Sequence, residues 1–206
     1  MNILNRLIRH FDAWLSRVEH VEPFADEPLI ILRLQDGVAA WDIPLGERTI
    51  HAGARVAVLH LWNDRMTVMT SHGPDLAWAL QFQRRLLYSL QAAARHLRDT
   101  AGTESIEAVG GIIVHIHLQT ANAGRLLLER LGFTVFPYHR PAGAFGEFWE
   151  NLYTWLLIWA FNPASLRSHS LLGLQRNEFW MTGESFLARF GEEREPTILS
   201  PGTTHA

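Results

Sequence analysis

Histidine, amide and guanidinium side chains follow one another where an apolar segment ends. His60 belongs to the segment 55–62 (RVAVLHLW), and Asn63 and Arg65 come just after it. Alternating apolar residues predict a strand, and binding residues are often placed at strand ends and in the loops behind them. We predict a ligand-binding role for His60, Asn63 and Arg65. The alternative is that Asn63 only hydrogen-bonds its own turn, as Asn often does.

A second group of histidines has the spacing of metal ligands. His115 and His117 flank Ile116 in the apolar segment 106–118, so a strand there projects both imidazoles from one face. Neutral imidazole is a common metal ligand, and His60 is the obvious third candidate. Catalytic zinc normally takes three protein ligands, of which the local sequence supplies two. We therefore favour histidines without a metal and predict no metal site.

Motifs that mark well-known enzyme classes are absent from the sequence. It contains no glycine-rich phosphate loop, no G-x-S-x-G elbow and no H-E-x-x-H pair. The net charge is -3 without a basic block, so we expect no nucleic-acid surface. The lack of cysteine excludes disulfides, thiolate metal sites and a cysteine nucleophile. These absences leave catalysis and binding both open, and no cofactor is predicted from the residues.

Hydrophobic periodicity predicts the elements that position these residues. Helices are expected over 2–21, from Asp75 to about Arg98, and over 123–131, 143–161 and 184–190. Strands are expected over 29–34, 38–43, 55–62, 106–118, 134–137 and 178–182, the first two joined by a hairpin at Gln35-Asp36-Gly37. The long helix is expected to bury Leu76, Leu80, Leu86, Leu87, Leu90, Ala94 and Leu97. The predicted fold class is α/β (α+β), a mixed sheet flanked by helices.

The domain organisation follows from length and composition. We predict an N-terminal amphipathic helix over 1–22, a single α/β domain over 23–191 and a disordered tail over 192–206. The most apolar stretch, 152–161, is too short to cross a membrane. The N-terminus lacks the pattern of a signal peptide. We therefore predict a soluble, cytoplasmic protein without a transmembrane span.

Two apolar segments leave alternatives open. The helix over 2–21 either packs on the domain, which we favour, or lies in a membrane interface with Trp14 at headgroup level, which makes a peripheral membrane protein. The aromatic residues of 145–161 either fill a core, which we favour, or form an exposed binding patch.

Several short segments resemble the YkoP-like domain, a bacterial domain that occurs alone or attached to polysaccharide deacetylases. They are Leu29 to Leu34, Ile50 to Val56 with Gly53, Leu59 to Asn63, Arg130 to Phe133, Asn162-Pro163, Glu178 to Met181 and Phe190-Gly191. The resemblance covers about residues 29–191. It implies a role in cell-envelope polysaccharide metabolism and brings no established catalytic residues.

The order of the elements is similar to the fold of GNAT-type N-acetyltransferases. Residues 122–133 (NAGRLLLERLGF) are similar to the helix before the penultimate strand of that fold. Two features depart from the family. The pyrophosphate loop at the start of the long helix is replaced by 71–75 (SHGPD), and Leu128 stands where a general-acid tyrosine is often found. Acetyl-CoA is therefore expected only under this alternative, with the Gly73 region at its phosphates.

The sequence favours an accessory or ligand-binding domain of envelope polysaccharide metabolism, with a small molecule or a protein as its partner. An atypical acyl-CoA-dependent acyltransferase and a peripheral membrane protein, in contact through residues 2–21, are the alternatives.

Overall fold

The computed structural model describes residues 3–18, 20–66, 75–100, 106–116, 122–139, 143–161 and 174–192. Five helices and seven strands are found in these ranges. The helices are α1 (Ile3–Val18), α2 (Leu76–Thr100), α3 (Asn122–Arg130), α4 (Gly143–Phe161) and α5 (Gly183–Phe190). The strands are β1 (Leu32–Val38), β2 (Ile43–Leu45), β3 (Arg48–Ile50), β4 (Arg55–Leu61), β5 (Ala108–Ile116), β6 (Thr134–Pro137) and β7 (Leu174–Thr182).

Five of the strands form one mixed sheet, in the order β1-β4-β5-β7-β6. β4 and β5 are parallel, and the other three pairs are antiparallel. The parallel pair is joined through α2, since parallel neighbours need a long crossover. β2 and β3 form a separate two-stranded hairpin. The predicted fold class, a mixed sheet flanked by helices with an N-terminal helix, is confirmed.

The sheet buries residues on both faces. Along β4, Ala57 and Leu59 belong to the larger core with residues of α2, α3 and α5, whereas Val56 belongs to a smaller core with residues of the β2–β3 hairpin. This alternation follows from the two-residue period of a strand. His60 continues the row of Val56, so it lies on the face covered by the hairpin. α1 and α4 lie over the same face. Ser16 of α1 accepts a hydrogen bond from Arg33 of β1, and Asn151 of α4 accepts one from Arg176 of β7.

The hairpin predicted at Gln35-Asp36-Gly37 is wrong. Asp36 and Gly37 lie inside β1, opposite Ala57 and Val56 of β4. The turn is instead at Gly46, between β2 and β3, where φ is +66°. The long pairing of β1 with β4 outweighs the local turn preference of Asp-Gly, because it satisfies main-chain groups along the whole strand.

The buried face of α2 begins later than the sequence indicates. Leu86, Leu90 and Leu97 are buried, but Leu76 and Leu80 are exposed. Asp75 caps this helix, since its carboxylate accepts the N–H of Trp78 at 2.7 Å. The first two turns of α2 therefore project beyond the described part of the core.

α1 packs against α4, as the favoured interpretation of the N-terminal helix expects. The Tyr153 hydroxyl donates to the buried Asp12 carboxylate at 2.9 Å, and Arg9 pairs with Asp64 at 2.7 Å. No helix among the described residues has the length and apolarity that crossing a membrane requires. The predicted tail, apart from Glu192, lies outside the described residues, as do Asn162-Pro163 and Gly73 with its neighbours.

Candidate ligand-binding site

The predicted site lies where β4 separates from β5. These strands pair over only four residues, and within the described chain their register ends at Leu59 and Gly111. β4 then continues to Leu61 and into a 3-10 turn over Asn63–Arg65, while β5 continues along β7. Ile112, just past the last pair, is half exposed. The sheet therefore opens between its two parallel strands next to His60.

His60 faces Arg33 directly across the β1–β4 pair. Its Nε2 lies 2.8 Å from Oε1 of Gln35, so the neutral ring donates there from Nε2. Burial and, to a smaller extent, the nearby positive charge of Arg33 together lower the pKa of His60 to about 4. At neutral pH, His60 is therefore an uncharged hydrogen-bonding group beside a fixed cation.

Trp62 is within cation–π distance of two guanidinium groups. The Arg65 guanidinium carbon is 3.7 Å from the centre of the indole ring, and that of Arg33 is 5.9 Å from it. Such cation–π contacts hold planar guanidinium groups over the ring. Arg65 also pairs with Asp26 at 2.7 Å, so its charge is already balanced. Of the three predicted site residues, Arg65 is therefore already engaged within the fold by an ion pair and a cation–π contact.

Arg33 is the cation of this site whose charge is not balanced. Its Nη1 donates to the Ser16 hydroxyl of α1 at 2.8 Å, but its Nε is buried without a hydrogen-bond partner. No ion pair between described residues includes Arg33. A sheltered cation without a carboxylate is unfavourable unless an anion binds beside it. This arrangement is suited to a carboxylate or a phosphate group.

Asn63 adds a neutral group to the same end of the sheet. It is partly buried, and its side-chain amide makes no hydrogen bond to any residue that the structure describes. The structure thus places His60 and Asn63 near the opening, together with Arg33, Gln35 and Trp62. The last three were not among the predicted site residues. Only the register of β1 on β4 brings Arg33 to His60, and no local sequence signal contains that register.

The other predicted histidines are not joined to this site by any described contact. His115 lies on β5 opposite Gln175, its side chain is outside those described, and His117 is outside the described residues. In the described ranges, no three histidine or acidic side chains are grouped as metal ligands.

A second polar cluster, which the sequence did not indicate, surrounds the buried Glu178 of β7. Its Oε2 accepts the indole N–H groups of Trp41 and Trp180 at 3.0 Å each, and its Oε1 accepts the main-chain N–H of His139 at 2.8 Å. The three donors satisfy the carboxylate. Glu178 therefore fixes the β1–β2 connection and the end of β6 to the sheet.

Fold and site together define a mixed α/β domain with a group of polar side chains at the end of its parallel strand pair. The YkoP domain family model matches residues 3–190, a range that includes α1 and every strand of the described residues. The chain belongs to the YkoP domain family. No curated protein matches it. No solved structure matches it either.

Proposed function

We propose that this domain binds a small anionic ligand at Arg33, with His60 and Asn63 as neutral hydrogen-bonding groups. The observation that carries the proposal is the environment of the Arg33 guanidinium. Its Nε is buried without a hydrogen-bond partner, and no carboxylate of the described residues forms an ion pair with it. A ligand carboxylate or phosphate bound beside this guanidinium supplies the missing counter-charge.

The proposed biological context is bacterial cell-envelope polysaccharide metabolism. It rests on the resemblance to a domain that accompanies polysaccharide deacetylases. Acidic sugars and sugar phosphates are the anions of such polymers and their precursors. In this context the domain is an accessory module that recognises a ligand, and we assign no reaction to it.

The test is calorimetric titration of the purified protein with glucuronate, glucose 1-phosphate and neutral glucose. We expect an acidic sugar to bind, glucose to bind at least tenfold more weakly, and Arg33→Gln to lose at least tenfold in affinity. Arg48→Gln is the matched control, because it removes an arginine that is half exposed. Equal binding by Arg33→Gln and wild type, or no binding of either anion, would reject the proposal.

The acyl-CoA alternative is favoured by one observation. Where β4 and β5 separate, main-chain groups of both strands no longer pair with each other, and the two amides of a pantetheine arm can bond such groups. Two other observations oppose the acyl-CoA alternative. The Asp75 carboxylate already accepts a main-chain N–H at the start of α2. Leu128 is buried in the core and has no ionisable proton to donate as a general acid. A saturable thermal shift with acetyl-CoA, absent with free adenosine diphosphate, would support this alternative.

A further inference from the structure

α1 carries an exposed apolar stripe in addition to the face that packs on α4. Leu7, Phe11, Trp14 and Val18 are 61%, 49%, 54% and 55% exposed. Their spacing of four, three and four residues places them in one row along the helix. Trp149 of α4, 53% exposed, extends the row across an apolar groove between the two helices. The packing of α1 on the domain therefore leaves much of its apolar surface uncovered.

The exposed charges that α1 itself places beside this stripe are positive, and Glu150 of α4, which lines the groove, is paired with Arg176 at 3.4 Å. Arg6 and Arg17 are exposed on α1, and at about 100° per residue they fall together along one edge of the stripe. The only acidic residue of α1, Asp12, is buried and accepts from Tyr153. The outward surface of α1 thus combines apolar and basic side chains with no acidic group, in a chain whose net charge is -3.

We propose that this stripe docks on an anionic lipid surface, with α1 lying parallel to the membrane plane. An interfacial helix has these parts: aromatic and aliphatic side chains that enter the headgroup boundary, and arginines that attract anionic headgroups. Trp14 and Trp149 supply the amphipathic rings that favour this depth. The helix is about 24 Å long, which suits contact along its side.

Charge complementarity favours lipid over a second copy of the chain. Pairing two identical stripes brings the arginines of both copies to the same interface, and no exposed carboxylate of α1 is available to offset them. Like charges facing each other at an interface are destabilising. An anionic lipid surface neutralises these arginines while it covers the apolar row.

The experiment is co-sedimentation of the full chain with vesicles of phosphatidylcholine and phosphatidylglycerol at three to one. Wild type should pellet with these vesicles, much less with pure phosphatidylcholine, and less again in high salt. Phe11→Ser/Trp14→Ser should weaken partitioning at least tenfold, and Arg6→Gln/Arg17→Gln roughly 30-fold. Val38→Ser is the control, since it removes an apolar side chain that is 67% exposed on β1.

Excess glucose 1-phosphate should not release the protein from the vesicles, which separates docking by α1 from headgroup capture at the ligand site. The proposal is overturned if wild type fails to pellet or pellets equally with both vesicle types. It is overturned as well if the Phe11→Ser/Trp14→Ser variant, shown folded by circular dichroism, still pellets. If wild type is a dimer in sedimentation equilibrium and the Phe11→Ser/Trp14→Ser variant is a monomer, the stripe binds a second copy of the chain and the proposal is likewise overturned.

Discussion

Arg33 and His60 are direct cross-strand partners on one face of the sheet, and His60 is hydrogen-bonded to Gln35 on the next residue pair of that face. The pair places a permanent cation beside an imidazole that burial keeps uncharged. Protonating His60 would place two positive charges next to each other. The Arg33–His60 pair therefore links the stability of the fold to the proposed binding site.

Stability should fall in acid because of His60. Its pKa is about 4 in the folded chain against 6.5 for an ordinary histidine, so the unfolded chain binds more protons between these values. The stabilising contribution is present in full above pH 6.5 and is lost as the pH falls toward 4. It amounts to about 3 kcal/mol at most. Urea unfolding of His60→Gln at pH 7, 5.5 and 4.5 should show a shallower decline in stability than wild type.

Removing the Arg33 charge should raise the pKa of His60. Burial is the larger cause of its low pKa, so in Arg33→Gln the value should rise but stay below 6.5. An anion bound at Arg33 should shift the pKa in the same direction, since it offsets the same charge. NMR titration of the His60 ring protons measures both effects. An unchanged pKa in Arg33→Gln, with Arg48→Gln as the control, would contradict the electrostatic link.

Elements with strong local signals were predicted closely. The bounds of β6 and α4 agree with the sequence prediction at both ends, because glycine or proline flanks a clear apolar pattern. The Asp36-Gly37 hairpin failed because a two-residue turn preference competes with a seven-residue pairing on a strand that is distant in sequence. Local chemistry contains no information about that competition.

The candidate site was predictable only in part, for the same reason. His60 and Asn63 stand out as polar residues where a strand ends, a position that sequence reveals. Arg33 reads as an ordinary polar residue of an alternating strand, and only the register of β1 on β4 makes it a partner of His60. Its missing acceptor is likewise a three-dimensional property.

Replacing Glu178 by glutamine should destabilise the fold. Two indole N–H groups and one main-chain N–H donate to its carboxylate. In the glutamine variant, an NH₂ group replaces one carboxylate oxygen and cannot accept from the donor that faces it. The buried donor left unpaired costs about 1–3 kcal/mol. Urea unfolding monitored by tryptophan fluorescence measures this loss. Glu107→Gln, at a site whose ion pair with Arg48 is half exposed, should change stability by less than about 0.5 kcal/mol.

Gly110 of β5 should not tolerate alanine. A Cβ there lies 2.2 Å from the carbonyl oxygen of Phe179 and 2.3 Å from the ring of Trp180, so main chain and indole both obstruct it. We expect a loss of about 3 kcal/mol or poor folding. In Gly37→Ala the new Cβ comes no closer than 3.6 Å to a neighbour, which makes this variant the matched control on β1. Similar stabilities of the two variants, measured by thermal unfolding, would contradict the predicted packing.

The attachment of α1 should depend on the bond between Asp12 and Tyr153. Tyr153→Phe leaves a buried carboxylate without its described donor, which costs about 1–3 kcal/mol. Because that bond joins α1 to α4 and not to the sheet, the variant should speed amide hydrogen exchange over 3–18 and leave β4 protected. Asp12→Asn should reduce the effect of Tyr153→Phe in a double-mutant cycle, since a neutral amide tolerates the missing donor better. Additive losses, or faster exchange spread evenly over the sheet, would show that α1 is held mainly by its apolar contacts with α4.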